Sequence, residues 1–141
     1  MTAIEPSILI LTADAASVSD GKINMLGGGW THVGAGVANF TLVVRLDIPW
    51  TMTNQQIPWT LSLIDEDGKL YRPDPDHDPV RIEGELNIER PENAPEGASF
   101  DVPMLFPFVG LPLRHGSYEW VFTLNDLQSN YSFQVLRRTE T

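Results

Sequence analysis

The amino-acid sequence predicts an all-β fold, a single-domain antiparallel β-sandwich of about eight strands. Three observations lead there. Apolar side chains recur at every second residue in segment after segment, Phe40, Leu42, Val44, Leu46 and Ile48 most plainly, and that period belongs to a strand with one face buried. Eleven glycines and eleven prolines break the chain at short intervals, which favours turns over long helices. No stretch sustains the repeat of an amphipathic helix. At 141 residues the chain has the size of one domain, enough to bury roughly two-thirds of its unfolded surface.

The first strand runs from Ser7 to Thr12, where Ile8-Leu9-Ile10-Leu11 is continuously apolar, as in a strand covered on both faces. Asp14 to Ser19 carries that strand into an Asp20-Gly21 turn, glycine accepting the positive φ of a tight hairpin. Lys22 to Leu26 returns, and Gly27-Gly28-Gly29 interrupts it, marking a bulge or a close approach of another backbone. Trp30 to Gly36 reads as a loop.

Ala38 to Ile48 is a long strand with Thr41, Arg45 and Asp47 on its second face, ended by Pro49 because proline cannot continue a ladder. Trp50 to Gln56 is polar and loop-like. Ile57, Trp59, Leu61 and Leu63 then alternate with Pro58, Thr60 and Ser62. Asp65-Glu66-Asp67-Gly68 turns the chain, and Lys69-Leu70-Tyr71 returns from it. Pro73 to Pro79 holds three prolines, which forbid regular structure and predict an exposed loop.

Val80, Ile82, Leu86 and Ile88 oppose Arg81, Glu83, Glu85 and Glu89, a strand with one wet, charged face. Pro91 to Ala98 is a second polar loop. Ser99 to Leu113 carries Phe100, Val102, Met104, Phe106 and Phe108 in period two, broken by Pro103, Pro107 and Pro112. Such a segment is an edge strand or an irregular crossing between sheets. Gly116 to Leu124 alternates aromatic and polar residues, and Leu127 to Ser129 turns the chain. Tyr131, Phe133 and Val135 come back along the same face. The end of the chain is charged, and residues 139–141 are expected to fray.

Asp14 and the run Asp20-Gly21-Lys22-Ile23-Asn24-Met25-Leu26-Gly27 resemble the opening of an uncharacterised bacterial β-sandwich family of unknown function. Its members begin with an apolar strand, an Ala-Asp or Cys-Asp step, and Gly-Lys-aliphatic-x-aliphatic-aliphatic-Gly. Leu42 to Leu46 is similar to that family's central strand, and Leu63-Ile64-Asp65-Glu66-Asp67-Gly68 to its Asp-x-Asp-Gly hairpin. Leu111-Pro112-Leu113 and Gly116-Ser117-Tyr118-Glu119 are similar to its late proline-rich strand and Gly-x-Tyr step. The likeness spans nearly the whole chain and departs at Gly28-Gly29-Trp30, where many relatives have one bulky residue after the glycine. It implies a compact β-sandwich and brings no catalytic residues.

Nine Lys and Arg against nineteen Asp and Glu leave a formal charge of −10. Such a surface repels phosphate backbones and anionic membranes, so neither nucleic acid nor a membrane is an expected partner. Without cysteine there is no disulfide framework and no thiolate metal site, which fits a reducing compartment. The apolar run Ile8 to Leu11 is too short to span a membrane and follows Glu5 rather than a basic segment. The expected location is the cytoplasm, or a virion for a phage-encoded protein.

Asp74, Asp76 and Asp78 alternate in a loop and would offer oxygen ligands to calcium. They lack the glycine and terminal glutamate of an EF-hand, and a solvated acidic loop stiffened by proline is the competing reading. His77 stands without a second histidine, a poor transition-metal site. For catalysis, His32, His77 and His115 all fall in loops, and neither a Gly-x-Ser-x-Gly elbow nor a His-Glu-x-x-His pair occurs. Gly27-Gly28-Gly29 lacks the Lys-Ser/Thr of a phosphate loop. No catalytic residue and no cofactor is assigned.

Tyr118, Trp120, Phe122, Tyr131 and Phe133 are expected in the core. Trp30 and Trp50 adjoin loops, where tryptophan serves either as an interface anchor or as a cap on the sandwich. Phe106, Phe108, Val109 and Leu111 lie in the proline-broken stretch and are candidates for an edge that another subunit covers. The function expected is a non-catalytic binding or assembly module, self-associating or docking on a larger protein surface. An accessory or structural protein of a phage-like particle is its specific form. The alternatives are a loop-end binder of calcium or carbohydrate and, behind it, a small hydrolase.

Overall fold

A computed structural model describes residues 5–138; the fraying expected at 139–141 falls outside the described residues. The strands are β1 (Ser7–Ala13), β2 (Ala15–Ser19), β3 (Lys22–Leu26), β4 (His32–Gly34), β5 (Gly36–Ile48), β6 (Gln56–Ile64), β7 (Arg81–Asn87), β8 (Phe100–Leu113), β9 (Gly116–Leu124) and β10 (Leu127–Leu136). A three-stranded sheet, β1-β5-β8, packs on a five-stranded sheet, β4-β10-β9-β6-β7, while β2 and β3 pair as a separate ribbon. The all-β sandwich read from the sequence is the observed fold, with every pairing antiparallel but one.

That one is β4, which runs parallel to β10 where a loop was expected. Thr31 accepts from the Gln134 N–H at 2.8 Å and Ala35 donates to the Leu136 carbonyl at 2.8 Å, so extended chain fills the edge of β10 there. Three residues are too few to show a period. The second correction concerns β1. Its aliphatic run reads as covered on both faces, yet β1 is an edge strand: Ile10 is buried in the core and Leu9, on the opposite face, is 51 % exposed. The outer face of the sheet is only half covered, by the β2–β3 ribbon.

The core forms where the inward rows of β5, β6, β9 and β10 meet. At its centre Trp120 is wholly buried, with ring centroids 5.2 Å from Phe108, 6.3 Å from Phe40 and 6.4 Å from Phe133. Trp59 stacks on Phe122 at 5.8 Å and meets the edge of Phe106 at 5.6 Å. Offset and edge-on pairs of this kind add roughly 0.5–1.5 kcal/mol each beyond burial.

Strand β8 is an edge, as its prolines suggested, but a bulge rather than proline shifts its phase. Phe108 stands opposite Phe40 and Leu111 opposite Ala38, so Val109 and Gly110 together face Asn39. Gly110 takes φ +70°, a conformation glycine adopts without strain, and its N–H donates to Asn39 Oδ1 at 2.7 Å. Before the bulge the even-numbered residues point inward; after it Leu111 and Leu113 do, and Val109 is left 88 % exposed.

Tyr71, fully buried, ties the segment after β6 to β8: its hydroxyl donates to the Pro112 carbonyl at 2.6 Å. Tyr118 donates to the Arg114 carbonyl at 2.7 Å. Burial, and then the neighbouring Tyr71, push the Tyr118 phenol well above its ordinary value. A folded-state value above the unfolded one means that the folded form holds its proton longer. The stabilisation is complete below the unfolded tyrosine range and is lost as pH rises through the folded value. Urea midpoints are expected to hold steady below about pH 10 and to fall above it. Tyr118→Phe should flatten that alkaline limb; an unchanged limb would place its cause elsewhere.

Candidate interaction surfaces

The residues singled out as partner contacts are mostly occupied within the molecule. Trp30 packs edge-on against Phe40 at 5.5 Å and Phe133 at 6.0 Å, closing one end of the sandwich. Its carbonyl accepts from Thr12 Oγ1 and from the Tyr131 hydroxyl, each at 2.7 Å. Trp50 lies in a 3-10 turn, Trp50–Met52, under the Arg90 guanidinium at 4.0 Å. Arg90 also bonds Thr53 Oγ1 and the Trp50 carbonyl, so the indole is clamped from above. Phe106 and Phe108 turn their rings into the core and Leu111 is buried. In this stretch the exposed apolar side chain is Val109.

The Asp74 to Asp78 loop spends its first carboxylate locally. Asp74 Oδ2 meets His77 Nδ1 at 2.5 Å and Oδ1 accepts from the Asp76 N–H at 2.8 Å. The His77 bond, and then the Asp76 amide, hold the Asp74 carboxyl below the usual carboxylate range. Arg114, stacked on Tyr71 at 4.8 Å, donates to the carbonyls of Arg72 (3.1 Å) and Pro73 (2.7 Å) and pins the base of the loop. Among the described residues no three His, Asp or Glu side chains gather into a group able to hold a metal ion.

The triple glycine borders a cleft of about 660 Å³ at the end of the sandwich, beside Asp14, Trp30, His32, Phe40 and Arg138. Gly27 has φ +61° and the Asp14 carboxylate lies where its Cβ would project, so this step requires glycine. His32 Nδ1 is bonded to Thr31 Oγ1 at 3.1 Å. A second hollow, about 120 Å³, holds His115 near Asp65 and Glu66, but His115 Nε2 meets Arg137 at 3.0 Å and Ser117 Oγ donates to Gln134 at 2.8 Å. Nucleophilic catalysis needs a hydroxyl bonded to a base that a third group orients. Among the described residues neither hollow lines these up.

The surface that sequence reasoning missed is the outer face of the three-stranded sheet. The paired residues Ala16–Met25 and Val18–Ile23 give the ribbon one apolar face. Between ribbon and sheet runs a groove of about 350 Å³ lined by Leu9, Leu11, Ile23, Met25, Val43 and Pro103. Met25 remains 41 % exposed there. Arg45, bound to Asp101 at 2.8 Å and Asp47 at 3.6 Å, and Asp101 also line this groove. A hydrogen bond shared with Asp47, and then Arg45, keep the Asp101 carboxyl below its usual range. The available signal was the phase of the prolines in β8, which makes the sheet narrow and β1 its other border.

No helix among the described residues is long and apolar enough to cross a membrane. No curated protein and no solved structure matches the sequence. Residues 8–136 match a family of unknown function, DUF6941, and with almost the whole fold inside that match the chain belongs to this all-β family.

Proposed function

We propose that the protein is a non-catalytic assembly module that joins other protein chains, itself or a larger assembly, through the three-stranded sheet. The observation that supports this is the apolar groove under the β2–β3 ribbon, open beside the β1 edge, where nothing among the described residues bonds the backbone groups of Ile8 and Ile10. Exposed apolar surface next to an unpaired edge favours protein contact. A repeating particle surface, a phage-like particle included, is the setting that suits such a module, on fold-level analogy. In the same reading the Asp20 to Gly27 hairpin is the family's signature because it builds this groove.

Size-exclusion chromatography with light scattering tests the reading. A defined oligomer, indifferent to calcium and to chelators, is the expected result. Met25→Glu, which places a charge in the groove, should lower its mass while leaving the circular dichroism unchanged. A monomer at every concentration whose melting temperature rises with calcium would instead identify a loop-end ligand binder, since a ligand of the folded state raises stability.

A further inference from the structure

We propose that β1 pairs with β1 of a second copy of this chain, antiparallel about a two-fold axis at Leu9, so that two three-stranded sheets become one. The inference rests on the assembly reading above and names its partner and register.

The phase of β1 follows from two independent observations. In an antiparallel ladder each residue sends both its N–H and its C=O to the same side. Gly29 donates to the Thr12 carbonyl at 2.7 Å, so Thr12, and with it Ile8 and Ile10, faces away from β5. From the other side of β5, Pro103 and Pro107 stand opposite Arg45 and Thr41, and proline holds a place in a ladder only where no N–H is needed. Arg45 and Thr41 therefore bond toward β1, where they face Leu9 and Ala13. Both observations leave Ile8 and Ile10 as the outward residues. Among the described residues nothing bonds their backbone groups on that side.

This edge lacks the devices that seal others. Ser7 to Ala13 contains no proline and no charge. Strand β8 loses two outward donors to Pro103 and Pro107, and β7 carries Arg81, Glu83 and Glu85. A chain of charge −10 repels its own kind over most of its surface, and the uncharged strip from Pro6 to Ala13 is where two copies can meet.

The register is then selected by exclusion. Ile8 opposite Ile8 would set Ile10 against Pro6, which has no N–H. Ile10 opposite Ile10 would set Ile8 against Thr12, whose carbonyl already serves Gly29. With Leu9 on the axis, Ile8 meets Ile10 of the second copy on both sides, each pair exchanging its two hydrogen bonds. The ladder then runs from Ser7 to Leu11, stopping short of Thr12, where Gly29 already bonds the edge, and no carboxylate lies within it. The half-exposed Leu9 covers its counterpart beside the groove it shares with Met25.

The absence of cysteine makes the test clean. Facing residues at a non-hydrogen-bonded pair have Cα atoms about 4.5 Å apart, within disulfide range. Under mild oxidation the full-length Leu9→Cys chain is expected to become mostly covalent dimer, while Val109→Cys, more exposed but on the bulge of the sealed edge, stays monomeric. Ser7→Cys mixed with Leu11→Cys should cross-link as a heterodimer, which reports the register. Leu9→Lys should shift the mass in light scattering from dimer to monomer without changing the circular dichroism. Cross-linking of Leu9→Cys no faster than Val109→Cys, or no Ser7–Leu11 product, overturns the proposal. If the unmodified chain still forms an oligomer in that case, the assembly reading stands and only this interface falls. A wild-type monomer that captures an extended peptide in a Leu9→Lys-sensitive manner overturns the second copy and gives the edge to another chain.

Discussion

Trp120→Ala is expected to cost about 3–5 kcal/mol, the range for deleting a large buried ring. Most single-domain proteins have only about 5–15 kcal/mol in total, so this variant should leave the chain close to unfolding at room temperature. The size follows from position. Trp120 is fully buried and its ring touches Phe40 and Phe108 of one sheet and Phe133 of the other. Removing it opens a void that rigid aromatic neighbours cannot fill. Trp120→Phe should cost far less, for a second reason. The indole Nε1 is buried with no acceptor among the described residues, and an unsatisfied donor carries a penalty of about 1–3 kcal/mol, which phenylalanine relieves. Urea midpoints of the two variants check both statements; equal losses would show that a smaller ring recovers nothing and that the site needs the whole indole.

Gly84→Val is expected to destabilise by about 1–3 kcal/mol, the range for overpacking. Gly84 faces Trp59 directly across the β6–β7 ladder. A Cβ there would lie 2.8 Å from Trp59 Cζ2 and 3.0 Å from Cε2. The ring cannot yield cheaply, because Phe122 stacks behind it and Phe106 abuts its edge. Valine suits strands better than glycine, but that gain is at most about 1 kcal/mol. Displacing the indole toward water should also red-shift its emission. In a Trp59→Leu background the cost should largely vanish; if it persists, the clash is not with the indole.

The strands with one wholly buried face were legible because burial writes a period of two into the sequence. Phe40 to Ile48, Ile57 to Leu63 and Tyr118 to Leu124 needed only that rule. What escaped depends on partners far away in the chain. The bulge at Val109 and Gly110 exists because Asn39 receives the Gly110 amide, and nothing local announces that bond. Strand β4 is defined by the edge of β10, not by its own residues. Ile8 to Leu11 misled because continuous aliphatic residues suggest cover on both faces, whereas one face here is met only by a ribbon. Of the candidate sites, the Asp74 to Asp78 loop was legible as a loop. The sharing of Asp74 between His77 and Asp76 is a matter of side-chain geometry that spacing does not encode.

The prolines of β8 carry a consequence for growth. A sheet open along both borders can add strands without end, the route to fibres. Here one border is stripped of two donors, while the opposite border keeps the free backbone groups of Ile8 and Ile10. Strand-by-strand joining through β1, as proposed, would therefore stop at a pair and give discrete closed particles rather than filaments.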